Sequence, residues 1–308
     1  MENKVYEIVN NKIIAQLEKG VAPWRMPWKT KGVKELPQNF KTKKPYSGVN
    51  TFLLQLEKIT NGFETPYWLT MNQANELGGR VRKGEKSSLV VFWKMYESKH
   101  TEKLSDGTQR AKVLPVLRYY TVFNLSQIEG IQIPGMPEET EAENVFEPLE
   151  QAENIIRSYP LGPVIKHGGD QAFYRPSADL VRMPEKLRFE SAGEYYSTLF
   201  HELTHSTGHE RRLNRDGFQE NAGHVFGDAN YSKEELIAEM GAAFLCGIAG
   251  IENTLPNSAA YLANWLSVLK QNKTWLVHSA AAAQRAADYI QGITQAKAKA
   301  ADSLLAVA

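Results

Sequence analysis

Three features of the 308-residue sequence predict a two-domain α+β protein. The first is charge: residues 1–130 hold 21 Lys and Arg against 12 Asp and Glu, and the remainder holds 15 against 23, so +9 and −8 sum to the net +1. The second is the segment from Ile131 to Glu153, with three prolines, seven glutamates and no basic residue. That composition cannot bury a core and reads as an extended acidic linker over residues 131–148. The third is pattern: strands and helices mix before the linker, and helices dominate after it. The expected units are residues 1–130 and 149–308.

In the first unit Val5, Ile8, Val9, Ile13 and Leu17 recur at helical spacing, and Gly20 stands where a helix C-cap glycine belongs. A second helix is expected over Thr51–Thr60. A third starts with Thr70 as N-cap and stops at Gly78-Gly79. Ser88–Glu97 and Val113–Asn124 are rich in β-branched and aromatic residues and read as paired strands. In the second unit Ala172–Arg175 and Asp179–Met183 read as short strands about a turn at Pro176. Helices follow at Gly193–Thr207, Lys233–Ala249, Ser258–Asn272 and Thr274–Gly292, the layout of a mainly helical domain with a small sheet.

Composition narrows the function classes. No stretch reaches the ~20 apolar residues of a membrane span, so no membrane partner is expected. The N-terminus is read as lacking a secretion signal, and the lone Cys246 excludes an internal disulfide and argues against a cysteine-based zinc site. A cytoplasmic location fits these features.

His201-Glu202-Leu203-Thr204-His205 is an HExxH motif. Residues i and i+4 share one helix face, so both imidazoles reach one zinc ion, the expected cofactor, while Glu202 stands ready as general base. The competing reading is a structural helix with two solvent-facing histidines. Three candidates contend for third ligand. His209 follows Gly208, which breaks the helix; His224 lies in a Gly-flanked loop; Glu235 opens the next helix. Glu235 and Glu239 are four apart and share a face, whereas Glu234 faces away. Their ExxxE spacing resembles the gluzincin arrangement, in which the first acid binds the metal and the second orients a ligand histidine. Glu235 is therefore assigned to the metal and Glu239 to the supporting role, with the reverse order and a pure capping role for Glu235 both open. Tyr231 or His224 is available to stabilise an oxyanion. Asp179–Met183 is expected to align an extended peptide by edge pairing.

The basic half interleaves cations with rings: Trp24, Arg25 and Trp28; Lys43, Lys44 and Tyr46; Arg80, Arg82, Lys83 and Lys86. Cations that track phosphates beside flat side chains that stack on bases suit single-stranded nucleic acid, the competing reading being solvated surface lysines. Trp68 and Trp93 sit in apolar runs and are expected in the core. Trp24 and Trp28 flank prolines and are expected to be exposed.

Residues 21–130 resemble the N-terminal single-stranded-DNA-binding domain of ArdC-type anti-restriction proteins, related to the DNA-binding part of TraC-type plasmid primases. The matching pieces are PWRMPW at 23–28, PYSGVN at 45–50, YWLTMNQA at 67–74, GGRVRKGEK at 78–86 and YTVFN at 120–124. HELTHSTGH at 201–209, RLNR at 212–215 and EELIAE at 234–239 resemble that family's zincin-like metallopeptidase domain. The resemblance implies a plasmid-type mobile-element protein that binds single-stranded DNA and counters restriction. The leading role is a zinc peptidase tethered to single-stranded DNA and acting on a host defence protein; the alternatives are a DNA-binding protector with a structural metal and a primase-type replication accessory.

Overall fold

The computed structural model describes residues 4–25, 36–103, 109–132, 149–215, 229–251 and 259–293. Trp28, His224 and residues 133–148 of the expected linker lie outside them. No helix among the described residues is long and apolar enough to cross a membrane.

Helix α1 (Lys4–Leu17) buries Val5, Val9, Ile13 and Leu17, the stripe that its spacing requires. After it come β1 (Gln38–Asn39), α2 (Val49–Asn61), β2 (Tyr67–Leu69), α3 (Met71–Glu76), β3 (Arg80–Val81), β4 (Ser88–Lys103), β5 (Gln109–Asn124) and β6 (Ile128–Glu129). Thr70 caps α3 reciprocally: Gln73 N donates to its hydroxyl at 3.2 Å, and its own N–H donates to Gln73 Oε1 at 3.1 Å. The main sheet has the order β1-β2-β5-β4, with β4 at its edge. Asn50 at the start of α2 meets that edge, pairing through its amide with the Val91 N–H (2.7 Å) and carbonyl (2.6 Å).

The second domain contains α4 (Glu150–Ser158), β7 (Val164–His167), β8 (Phe173–Arg175), β9 (Leu180–Met183), α5 (Ala192–Ser206), α6 (Ala229–Ala249), α7 (Ala259–Gln271) and α8 (Trp275–Ile290). The small sheet runs β7-β9-β8. This corrects the expected edge role of residues 179–183, because β9 is the central strand, with β7 parallel on one side and β8 antiparallel on the other. Strand β7 was missed from sequence; its four residues carry no more than one alternation.

The two domains share one apolar core, whose buried residues run from Val5 to Ile290. Phe52 of α2 stacks on Phe244 of α6 at 4.8 Å, and Trp24 meets Trp265 of α7 edge-on at 6.0 Å. Asn10 donates to the Leu269 carbonyl at 2.9 Å, and Gln284 Oε1 accepts from the Gly48 N–H at 3.2 Å. Trp68 is fully buried as expected, whereas the expectations for Trp24 and Trp93 are reversed. Trp24 is fully buried between the domains, while Trp93 is 40% exposed. A ring beside proline has no periodicity to say which way it points, and a strand that leaves the sheet edge exposes both its faces.

Two expected outcomes follow from this packing. Trp24→Ala should cost about 3–5 kcal/mol, measured by urea unfolding, because it empties a closed interdomain site. Lys58 is buried with no hydrogen bond to its Nζ, and burial pulls it from an ordinary 10.5 to about 8. The unfolded chain therefore binds more protons between those values, so stability should rise from pH 8 towards 10.5. Lys58→Met should abolish that rise and stabilise the protein at pH 7; an unchanged pH profile would exclude the buried amine as its cause.

Candidate metal centre

Ser191 caps α5, accepting the Glu194 N–H at 3.1 Å. One side of α5 buries Tyr195, Tyr196, Leu199, Phe200 and Leu203, which turns His201 and His205 to the other, half-buried side. Helix α6 crosses α5 at Gly241. A Cβ there would lie 2.5 Å from the Thr204 methyl, and Thr204 cannot yield, being buried with its hydroxyl donating to the Phe200 carbonyl at 2.7 Å. This close crossing carries Glu235 to the imidazoles. Its carboxylate lies 3.5 Å from His201 Nε2 and 3.4 Å from His205 Nε2, and the two Nε2 atoms are 3.1 Å apart. Among the described residues, these three form the one group whose donor atoms converge as a metal requires. Glu202 is nearly buried on the same helix.

His205 lies between two carboxylates. Glu235 faces its Nε2, and Glu234 faces its Nδ1 at 3.4 Å. Glu234 was expected to face away. Adjacent helix positions differ by about 100°, and at this crossing that arc places the two acids on opposite sides of one ring. Arg215 secures Glu234 with its Nε (3.0 Å) and a second, shorter bond, and donates to the carbonyls of Thr204 and His205 at the C-terminal end of α5. Burial opposes the charge on Glu234, but Arg215 and His205 together outweigh it and hold the carboxyl below its usual range. Arg212 closes the same helix end, donating to the Ser206 carbonyl at 2.8 Å and pairing with Asp179. The Arg-Leu-Asn-Arg segment matched a family pattern without revealing this capping role.

The donor chemistry fits a divalent cation. With the Glu234 contact retaining a proton on Nδ1, His205 directs its Nε2 lone pair inward, where it confronts His201 Nε2. Without a cation between them a proton must take that place. Burial disfavours a charged His205, yet Glu234, Glu235 and Glu202 together lift it to about 10, and the same imidazoles hold Glu235 well below the carboxylate range against its burial.

The remaining expected site residues are dispersed. Glu239 is half-buried one turn beyond Glu235 on α6, and His209 lies past the end of α5, outside the convergent group. Tyr231 begins α6, but its side chain, like that of Arg25, is outside the described set, as are Trp28 and His224 entirely. Lys43, Arg80, Arg82, Lys83 and Lys86 are exposed, Lys44 and Tyr46 half-buried. Lys43 caps the Phe40 ring at 3.7 Å, and Arg82 pairs with Glu85 at 2.8 Å.

A helix bearing HExxH, a glutamate from the next helix and a small sheet beforehand define a zincin-like fold. Residues 150–283 match the family model described as zincin-like metallopeptidase, and residues 3–123 match the N-terminal domain of anti-restriction factor ArdC. The chain belongs to the ArdC-type anti-restriction family. It is similar to the metal-free structure of antirestriction protein ArdC from plasmid R388 (36% identity, TM-score 0.74, 93% of this chain and 96% of that one) and to its Mn(II)-bound structure (35%, TM-score 0.72, the same coverage). An uncharacterized protein, y4eC, of Sinorhizobium fredii is 37% identical over 93% of this chain and 91% of its own length. A DNA primase TraC of Escherichia coli is 36% identical over 94% of this chain, which spans only 20% of that protein.

The Mn(II)-bound relative corrects the expected zinc. HExxH spacing specifies where donors stand, not which ion they take. Two imidazoles and a carboxylate serve several first-row ions, and availability decides among them.

Gly241→Ala should force α5 and α6 apart and weaken Mn(II) binding, followed by calorimetry. Glu234→Ala should weaken it about 10–100-fold by freeing the His205 ring, and Glu235→Ala should be more severe. Wild-type affinity should rise with pH across neutrality, since the ion displaces a proton from His205. Equal affinity in all three variants would remove these residues from the centre.

Proposed function

We propose that this chain protects incoming DNA by binding it as a single strand through its basic N-terminal domain. The metal centre in this reading fastens α5 to α6 and stabilises the second domain. Likeness over nearly the whole length to an antirestriction protein carries the proposal, and that relative's metal-free and Mn(II)-bound structures have nearly the same likeness to this chain. Lys43, Lys44, Arg80, Arg82, Lys83 and Lys86 supply the phosphate contacts, with Lys43 held over Phe40 on a left-handed backbone, φ 57°. Residues 1–130 and 149–308 are the units of the two roles. His201, His205 and Glu235 are the ligands, and Glu239, one turn along α6, supports them.

One observation favours a second reading, a peptidase directed at a host defence protein. Glu202, between the two histidines in sequence, is nearly buried, and a purely structural centre has no need of a carboxylate on that helix. A bound ion would supply Lewis acidity; Glu202 would hold and return the proton that peptide hydrolysis moves.

Glu202→Gln separates the two readings, since it keeps shape while removing the proton acceptor. Protection of transferred DNA from restriction should persist in that variant, with single-strand affinity unchanged and no difference from wild type in a casein digest. Affinity should fall with salt at a log–log slope of about −0.7 per neutralised phosphate. Loss of protection with fold and DNA affinity intact would establish the peptidase reading.

A further inference from the structure

Burial of Trp24 leaves the expected DNA surface with cations but few rings, and the structure places its exposed rings elsewhere. Among the described residues, all four large aromatic side chains counted as exposed (Phe92, Trp93, Tyr119 and Tyr120, 39–52% accessible) fall on one short stretch of the β4–β5 hairpin. Strand register sorts them. Phe92 pairs with Arg118, Val90 with Tyr120 and Lys94 with Val116, so Phe92, Tyr120, Arg118 and Lys94 share one face. On that face the Phe92 and Tyr120 ring centroids lie 4.1 Å apart, with the planes tilted by 30°. Leu54 of α2 and Trp68 of β2 cover Val90 and Val122 further along the same face, and this small core ends before the ring pair. Trp93 and Tyr119 occupy the other face, where Trp93 reaches Tyr6 (6.2 Å) and His278 (6.1 Å).

We propose that Phe92 and Tyr120, with Arg118 and Lys94 beside them, form the base-stacking platform for single-stranded DNA. The ring pair offers outer π-faces that any base can cover, and the exposed cations on the same face meet the phosphates of the strand passing over it. Charge complementarity selects this occupant. The patch belongs to the half of the chain with charge +9, and Arg118 and Lys94 lie beside its rings on the side away from the small core, where an apolar protein contact would leave them desolvated. Duplex DNA is excluded, because its bases present edges and not faces. This proposal rests on the single-strand reading and specifies its site.

The test uses the full chain and oligo(dT), measured by fluorescence anisotropy. Phe92→Ala with Tyr120→Ala should weaken binding about tenfold to a hundredfold while leaving the salt slope intact. Arg118→Ala with Lys94→Ala should flatten that slope by about 1.4, two phosphates' worth. Both side-chain pairs are exposed, and an unchanged melting temperature checks the fold. Tyr120→Trp should keep affinity, and its emission should be quenched on binding. Wild-type affinity retained in the double alanine variant, or unquenched emission from the tryptophan variant, overturns the platform while leaving the function reading standing. Failure of the wild type to bind oligo(dT) overturns both. A dimer that the alanine pair dissociates, with DNA affinity unchanged, assigns the patch to a second copy instead.

Discussion

The contact between Gly241 and Thr204 governs the candidate metal centre. Helices carrying ordinary side chains at their crossing stand 8–10 Å apart, and a glycine at the contact permits the closer approach. That approach sets Glu235 within 3.5 Å of two imidazoles on another helix. It also concentrates the carboxylates of Glu202, Glu234 and Glu235 about the half-buried His205, against the guanidinium of Arg215. So much like charge in a confined space is costly without a cation, which makes the centre electrostatically receptive before any ion arrives.

The same helix also joins the domains. Its N-terminal turns bring Glu235 to α5, and further along Phe244 stacks on Phe52 of the basic domain. On the neighbouring α8, His278 lies against Tyr6 and Trp93. The basic half is therefore packed against the helices of the candidate metal centre by a continuous apolar core. Displacement of α6 at one end bears on residues of both family modules.

Several parts of this structure were legible because they depend on local chemistry. The α1 stripe, the Thr70 cap, the β4 and β5 strands and the HExxH helix each follow from spacing along one segment. His201 and His205 share a face by helix geometry alone. Glu234 was misread for the converse reason. Its direction depends on where α6 crosses α5, and no periodicity within α6 contains that crossing. Arg212 and Arg215 cap a helix end through a turn whose path back to α5 is likewise nonlocal.

Trp24 and Trp93 mark the same boundary. Sequence by itself determined the α+β class, the opposed charges and the positions of the histidine pair, all properties of composition or of short-range helical and strand periods, while the two family modules came from the resemblance of its motifs. Tertiary structure decided that the modules share a core, that Trp24 belongs to it, that β9 is central and not an edge, and that the exposed rings gather on the β4–β5 hairpin. The reason is physical: periodicity says that a face is apolar, but only the packing of distant segments says what covers it and which faces remain open to solvent.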